Sequence, residues 1–147
     1  MPSVFTRIIA GELPGRFVWR DDLAVAFLSI NPLAHGHTLV VPHAEVDHWI
    51  DLDPAVAAHV FTVARAVATA QQAVFRPARV GLMIAGFEVP HTHVHVVPVN
   101  DVHGLDFARA AASPDPEGLD DAASTLRAEL IRLGHPEAGV ASPSGGV

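Results

Sequence analysis

The segment His91-Thr92-His93-Val94-His95-Val96-Val97 places a histidine at every second position. Because successive side chains of a strand point to opposite faces, this spacing predicts a strand with three imidazoles on one face and Thr92, Val94 and Val96 on the other. A buried imidazole needs partners for its polar ring atoms, so packing alone does not account for three in a row. The segment therefore predicts a sheet in which one strand carries chemistry on its histidine face.

Metal binding is one chemistry that the histidine strand could perform, since imidazole is a good ligand for zinc and iron. Positions two apart lie roughly 6.6 Å apart along a strand, and the outer pair lies roughly 13 Å apart. One ion could therefore bind two of the three histidines. The chain contains no cysteine, so any metal would have to bind to His, Asp or Glu. A metal-dependent hydrolase built on a His-x-His pair is thus one interpretation.

Three blocks of the sequence point to a second interpretation. Residues 91–97 follow the pattern His-x-His-x-His-x-x with hydrophobic residues at x, residues 4–14 contain a short apolar helix pattern and a turn, and residues 31–42 end in an apolar strand pattern. In this order they resemble the signature, the N-terminal helix and the middle strand of the histidine triad family, in its bacterial Hint-like branch. The resemblance covers most of residues 3–100.

The resemblance implies a nucleotide hydrolase or nucleotidyl transferase that acts at the α-phosphate through a covalent nucleotidyl-histidine. It assigns the nucleophile to His93, and it places His95 at the phosphate and the leaving-group oxygen. It also implies that His91 holds the nucleophile in its tautomer or orientation and that His37 supports the triad from a neighbouring strand. A neutral imidazole can attack phosphorus near pH 7 without a separate base. Purine nucleoside phosphoramidase and dinucleoside polyphosphate hydrolase are the activities implied.

Substrate contacts are less completely matched than the histidines. Ser29 stands where the family commonly carries an Asp that binds the ribose hydroxyls, and a serine hydrogen-bonds more weakly than a carboxylate. Phe87 and Glu88 stand where a Gln and a Ser are usual, and Gly86 is either a turn glycine or a point of close approach to phosphate. A non-catalytic nucleotide-binding protein on the same fold therefore stays open. The candidate substrate-binding residues are Phe5, Ile8, Ser29, Ile30, Asn31, Gly86, Glu88 and Val89.

Zinc is bound in some family members by two N-terminal cysteines, the first histidine of the triad and one further histidine. In this chain the two cysteine positions are Ser3 and Thr6, and the further histidine is His48. Without thiolates we predict no metal site and no ligand role for His48. We expect the chain to need no cofactor.

Charge and hydropathy exclude several partners. The net charge is −7, with nine scattered arginines and no lysine, which argues against a non-specific nucleic-acid binder. A small phosphorylated ligand needs no basic surface, because imidazoles and backbone N–H groups can bind it. The N-terminus lacks the pattern of a signal peptide, and no stretch approaches the roughly 20 apolar residues that span a bilayer. We expect a cytoplasmic protein that binds neither nucleic acid nor membrane.

Hydrophobic periodicity predicts an α+β fold, in which a five-stranded antiparallel sheet is covered by one long helix, a short N-terminal helix and an added C-terminal helix. The predicted strands are 17–20, 24–28, 37–41, 79–84 and 91–99, and the predicted helices are 3–10, 55–75 and 119–133.

Residues 1–138 are expected to form a single domain, with its core at 3–100 and a C-terminal extension at 101–138. The Gly-, Ser- and Pro-rich tail, 139–147, is expected to be disordered. A homodimer is expected from the resemblance, and pairing would also cover an exposed sheet edge.

Overall fold

The computed structural model describes residues 1–140. In this part of the chain, the strands are β1 (Phe17–Arg20), β2 (Ala24–Leu28), β3 (Thr38–Pro42), β4 (Arg79–Met83) and β5 (Val94–Val99). The α-helices are α1 (Val4–Ile9), α2 (Pro54–Phe75) and α3 (Pro116–Arg132). Short 3-10 turns occur at Trp49–Asp51, Val102–Leu105, Phe107–Arg109 and Pro136–Ala138. None of the described helices is long and apolar enough to cross a membrane.

The five strands form one antiparallel sheet in the order β1-β2-β3-β5-β4. The first three strands form an antiparallel meander. β5 then pairs with β3, so that Thr38 lies opposite Val96. This pairing brings the histidine segment next to the strand that follows His37. The predicted α+β fold, with its five strands, long helix, short N-terminal helix and added C-terminal helix, is confirmed.

One face of the sheet packs against α2 and α3. Val40 and Val96 of the sheet, Val63 and Val67 of α2 and Leu126 of α3 have no solvent exposure. Full burial of a Val or Leu side chain contributes roughly 1.5–3 kcal/mol. This apolar layer holds the strands that carry the histidines from behind.

The opposite face carries α1 and the histidines. Phe5 of α1 contacts Phe27 edge to face at 5.5 Å between ring centroids, and Phe17 contacts Phe27 at 5.7 Å. Ser3 caps the N-terminus of this helix, because its Oγ accepts a hydrogen bond from the Thr6 backbone N–H at 3.0 Å. Aromatic packing and this N-cap therefore fix α1 beside the histidine face.

The start of β5 differs from the prediction. Strict alternation predicts a strand from His91, whereas β5 begins at Val94, the last residue paired with β3. Before Val94, the Thr92 N–H donates to the carbonyl oxygen of Val46, in the loop after β3, at 2.7 Å, so this segment leaves the ladder. The rings of His91 and His93 still lie on the α1 side, because Phe5 contacts them at 5.9 and 4.9 Å.

The division of the chain into domain and tail stays a prediction. Residues 141–147, which are most of the predicted tail, lie outside the described residues. Within the described part, α3 packs into the same core as α2, through Leu119, Leu126 and Leu130. The C-terminal extension is therefore joined to the core by buried apolar contacts.

Candidate active site

A cavity of about 950 Å³ opens beside the histidines. This volume lies within the roughly 300–1,000 Å³ range of small-molecule sites. Two predicted site residues lie outside its wall: His91 is buried behind it, and Gly86 makes a turn with φ +87°. The predicted site residues in the wall are Phe5, Ile8, Ser29, Ile30, Asn31, His37, Glu88, Val89, His93 and His95.

His37 and His95 are joined ring to ring. His37 Nε2 lies 2.9 Å from His95 Nδ1, and the Leu33 backbone N–H donates to His37 Nδ1 at 3.0 Å. Since a backbone N–H can only donate, the neutral His37 ring carries its proton on Nε2 and donates it to His95 Nδ1. The neutral His95 ring therefore carries its own proton on Nε2, as a donor for a ligand.

Burial keeps both of these rings neutral. Only 2% of His37 and 6% of His95 is exposed. Burial, followed by the nearby charge of His95, lowers the pKa of His37 to about 3. Burial, followed by the charge of His93, lowers the pKa of His95 to about 4. At pH 7 both rings are uncharged, as the proton assignment requires.

His93 is oriented by the backbone of its own segment. Its Nδ1 lies 2.7 Å from the carbonyl oxygen of His91. A carbonyl only accepts, so Nδ1 carries the proton and the neutral ring has its lone pair on Nε2. Phe5 at 4.9 Å and His95 at 5.1 Å contact the ring edge to face and restrict its rotation. A neutral imidazole with a free Nε2 lone pair is chemically able to act as a nucleophile.

His91 supports the site from behind. Its Nε2 donates to the carbonyl oxygen of Pro42 at 2.8 Å, so its Nδ1 accepts from the Ser3 hydroxyl at 2.7 Å. Burial is the main cause that lowers the pKa of His91, which keeps this tautomer neutral. The His91 ring thus connects the start of α1 with the end of β3, and the His91 backbone carbonyl oxygen contacts His93.

Glu45 extends the contacts around His91. Its Oε1 accepts from the Ser3 backbone N–H at 2.7 Å and from the Thr6 hydroxyl at 2.6 Å. The hydrogen bond from Ser3 is the first cause that lowers the pKa of Glu45. Ser3 and Thr6, the two positions that the resemblance matches to cysteines, therefore meet at His91, while His48 is exposed. Across residues 1–140, no group of three or more His, Cys, Asp or Glu side chains is arranged to hold a metal ion.

Gln71 of α2, which was not predicted from the sequence as a site residue, connects the two strands behind the histidines. Its Nε2 donates to the carbonyl oxygens of Gly36 at 2.9 Å and Val96 at 3.0 Å. Gly36 precedes His37 and Val96 follows His95, and Gln71 is fully buried. Gln71 therefore fixes the distance between the strand ends that carry the paired rings.

One aromatic wall of the cavity was not predicted from the sequence. The Phe107 ring lies edge to face with His95 at 4.9 Å. Its segment is held in place by two hydrogen bonds, from Asn31 Nδ2 to the Ala111 carbonyl oxygen at 2.9 Å and from the Ala111 N–H to the Pro32 carbonyl oxygen at 3.0 Å. The segment has no hydrophobic period, so no local signal places it at the site.

A polar wall was missed as well. Its residues are Arg16, which precedes β1, and Asp120, Ser124 and Arg127 of α3. The spacing of Asp120, Ser124 and Arg127 puts these three residues on one side of α3, beside its apolar face. This polar side was available as a signal, but nothing in the sequence says that it faces the histidines.

The fold and the arrangement of four hydrogen-bonded histidine residues define a histidine triad protein. The family model of the HIT domain matches residues 10–102. The chain therefore belongs to the HIT family, and the resemblance predicted from its sequence is confirmed.

Similar proteins include uncharacterised members and a named enzyme. An uncharacterised HIT-like protein of Borreliella burgdorferi is 37% identical over 113 residues, which are 72% of this chain and 81% of that protein. A Zn-bound histidine triad family protein from Mycobacterium smegmatis has a TM-score of 0.75 and 27% identity, covering 88% of this chain and 94% of that chain. Adenylylsulfatase HINT3 of Arabidopsis thaliana is 30% identical over 100 residues, 65% of this chain and 51% of that protein.

Proposed function

We propose that this protein is a nucleotide hydrolase or nucleotidyl transferase that acts at the α-phosphate of nucleotide amidates, anhydrides or esters. Purine nucleoside monophosphate derivatives are the proposed substrates. One observation carries the proposal: the hydrogen bonds leave His93 Nε2 as a lone pair and His95 Nε2 as an N–H donor in the same cavity. A nucleophile and a donor for the leaving group are the two groups that this chemistry needs.

The reaction has two steps. In the first, the Nε2 lone pair of His93 attacks the α-phosphorus, so that an N–P bond forms as the bond to the leaving group breaks. The N–H of His95 donates to the departing atom and stabilises the negative charge that develops there. In the second step, water attacks phosphorus and the N–P bond breaks. One water is consumed, its oxygen stays on phosphorus and one of its protons ends on the leaving group.

The metal-dependent alternative is disfavoured by the donor set. Both ring nitrogens of His37 and of His91 are hydrogen-bonded within the protein. Only the Nε2 atoms of His93 and His95 are left among these four rings, and a catalytic zinc usually has three protein ligands. Turnover that resists EDTA is therefore expected.

The test is turnover of adenosine 5′-phosphoramidate by the wild-type protein and by His93→Ala. Removal of the nucleophile should lower kcat by at least about 1,000-fold. His103→Ala is a matched control, because His103 is exposed and lies outside the cavity wall. Full activity of His93→Ala would overturn the mechanism. Binding of the nucleotide without turnover by the wild type would favour the non-catalytic alternative.

The proposed assembly is a homodimer. β4 lies at an edge of the sheet, and Leu82 and Ile84 at this edge are exposed beside Phe61 of α2. An unpaired edge with an apolar border is a liability that pairing removes. Light scattering should give twice the chain mass, and Phe61→Glu should shift it toward one chain. A wild-type protein of single-chain mass would refute this assembly.

A further inference from the structure

The cavity has a polar end that the chemistry at His93 does not use. On α3, Asp120, Ser124 and Arg127 follow one another at helical spacing of four and three residues, so they form a single stripe on the helix. All three line the same cavity as His93. We call these three residues the α3 stripe.

Hydrogen bonds hold the charged members of the α3 stripe in place. Arg16 Nε donates to Asp120 Oδ1 at 2.7 Å, and Arg127 Nη1 donates to the Phe17 carbonyl oxygen at 2.9 Å. Within residues 1–140 that carbonyl oxygen is the one hydrogen-bond partner of the Arg127 side chain. The guanidinium therefore keeps N–H donors for a ligand, and the carboxylate keeps its second oxygen.

This polar end adjoins the strand end where the usual ribose contact is missing. The Leu28 N–H donates to the Arg16 carbonyl oxygen at 3.0 Å, and Ser29 follows Leu28 in the cavity wall. Ser29 offers a hydroxyl where a carboxylate would bind more strongly. Asp120 brings a carboxylate to the same cavity from a different element.

The groups at this end of the cavity suit a ligand that both donates and accepts hydrogen bonds. The Arg16 guanidinium is paired with the Asp120 carboxylate at 2.7 Å, so only Arg127 adds an unpaired cation. Together with the Ser124 hydroxyl, these groups offer both donors and acceptors. The edge of a nucleobase and the hydroxyls of a ribose present both as well. A site for a second phosphate would consist of cations alone, because the Asp120 carboxylate at this end repels a phosphate.

We propose that the α3 stripe and Arg16 form a nucleoside-recognition subsite, which hydrogen-bonds to the base edge or the ribose hydroxyls of the nucleotide attacked by His93. The inference rests on the proposed function for the position of the phosphate. It assigns the task of nucleoside selection to the C-terminal helix.

The test compares substrates with and without a nucleoside. Asp120→Asn, which keeps the shape of the side chain, and Arg127→Ala should lower kcat/KM for adenosine and guanosine 5′-phosphoramidates by about 10-fold or more, mainly through KM. Neither variant should change kcat/KM for the monomethyl phosphoramidate ester by more than about 2-fold. 2′,3′-Dideoxy substrates separate the two contacts: the loss should disappear if Asp120 binds ribose and persist if it binds the base.

Asp121→Asn is the matched control. Asp121 is adjacent on α3 and similarly exposed, 73% against 69% for the Asp120 side chain, but it lies 3.5 Å from His35 and outside the cavity wall. It should behave as the wild type. An equal loss with the nucleoside and methyl substrates, or no loss with either, would overturn the subsite. A loss confined to dinucleoside polyphosphates would indicate a second phosphate instead and would also overturn it.

A binding measurement separates this inference from the proposed function. In His93→Ala, calorimetric titration with AMP and GMP measures affinity without turnover. Adding Asp120→Asn should weaken the binding by about 10-fold, whatever reaction the wild type performs. Unchanged affinity would refute the subsite, whereas absent turnover with weakened affinity would refute only the catalytic proposal.

Discussion

His37 Nε2 donates a hydrogen bond to His95 Nδ1 across 2.9 Å, and the Leu33 N–H fixes the direction of that bond. The two rings come from positions 58 residues apart. Their pairing decides which nitrogen of His95 carries the proton. In the proposed mechanism, His37 therefore acts through His95 as a positioning residue.

Replacing His37 with Ala removes the group that fixes the His95 tautomer. We expect kcat to fall by about 10–100-fold for substrates with poor leaving groups, such as alkylamines, and less for aryl leaving groups that need little assistance. The measurement is kcat across a leaving-group series. His35→Ala is the control, because His35 is exposed and contacts Asp121 instead. A uniform fall across the series would contradict the positioning role.

The low pKa values of His37 and His95 predict a stability that depends on pH. Burial lowers the pKa from an ordinary value of 6.5 to about 3 for His37 and to about 4 for His95. Between these values and 6.5, the two rings are protonated in the unfolded chain and neutral in the folded chain. The stabilisation is fully present above about pH 6.5 and is lost as the pH falls toward 4. Each ring should lower the free energy of unfolding by about 1–2 kcal/mol as the pH falls from 7 to 5.

Urea unfolding of the wild type and of His95→Asn at pH 7 and pH 5 checks this effect. The variant should lose less free energy of unfolding on acidification, because one buried ring is gone. His103→Asn, at an exposed position, should follow the wild type. Equal losses for the wild type and His95→Asn would show that the buried ring does not resist protonation.

Ser3 joins α1 to the triad, so its replacement should affect both stability and rate. Ser3→Ala removes the N-cap of α1 and the donor to His91 Nδ1, at a cost of about 1–2 kcal/mol in the free energy of unfolding. Because His93 is oriented by the His91 carbonyl oxygen, kcat should fall as well. Thermal unfolding and turnover measure the two effects.

Ser3→Thr keeps the hydroxyl and should restore most of both properties, whereas Ser113→Ala, in the exposed segment before α3, should change neither. A fall in stability with unchanged kcat would limit Ser3 to a structural role. The hydroxyls of Ser3 and Thr6 stand where the family resemblance places zinc-binding cysteines, so we expect EDTA to leave turnover unchanged. Stoichiometric zinc in protein purified without added metal would contradict this expectation.

The sequence predicted the strand that carries the histidines better than it predicted the residues around it. The alternation at His93 and His95 is a local property, and local backbone geometry decides it. The predicted start of β5 was wrong by three residues, because the Thr92 N–H bonds to the Val46 carbonyl oxygen, which lies outside β3. The resemblance implied that His37 supports the triad from a neighbouring strand, but it pointed to His91, whereas the ring that His37 contacts is that of His95. No local pattern relates two strands so far apart in the chain.

The missed residues act through tertiary contacts. Gln71 lies four residues after Val67, on the buried side of α2, and a polar residue there needs buried partners. The position of Gln71 on the apolar side of α2 could be read from the sequence. Its partners, the carbonyl oxygens of Gly36 and Val96, could not, because they belong to other elements. Phe107 reaches His95 only because its segment bonds to the loop after β2, which no periodicity encodes.

The covalent intermediate is the most direct test of the account. Wild-type protein would be mixed with excess adenosine 5′-phosphoramidate, quenched in base, where a phosphorus–nitrogen bond to histidine survives, digested, and analysed by mass spectrometry. The account predicts an adenylyl group on His93, formed during turnover and absent from His93→Ala. Turnover with no trapped adduct on any residue, or an adduct on a residue other than His93, would contradict it.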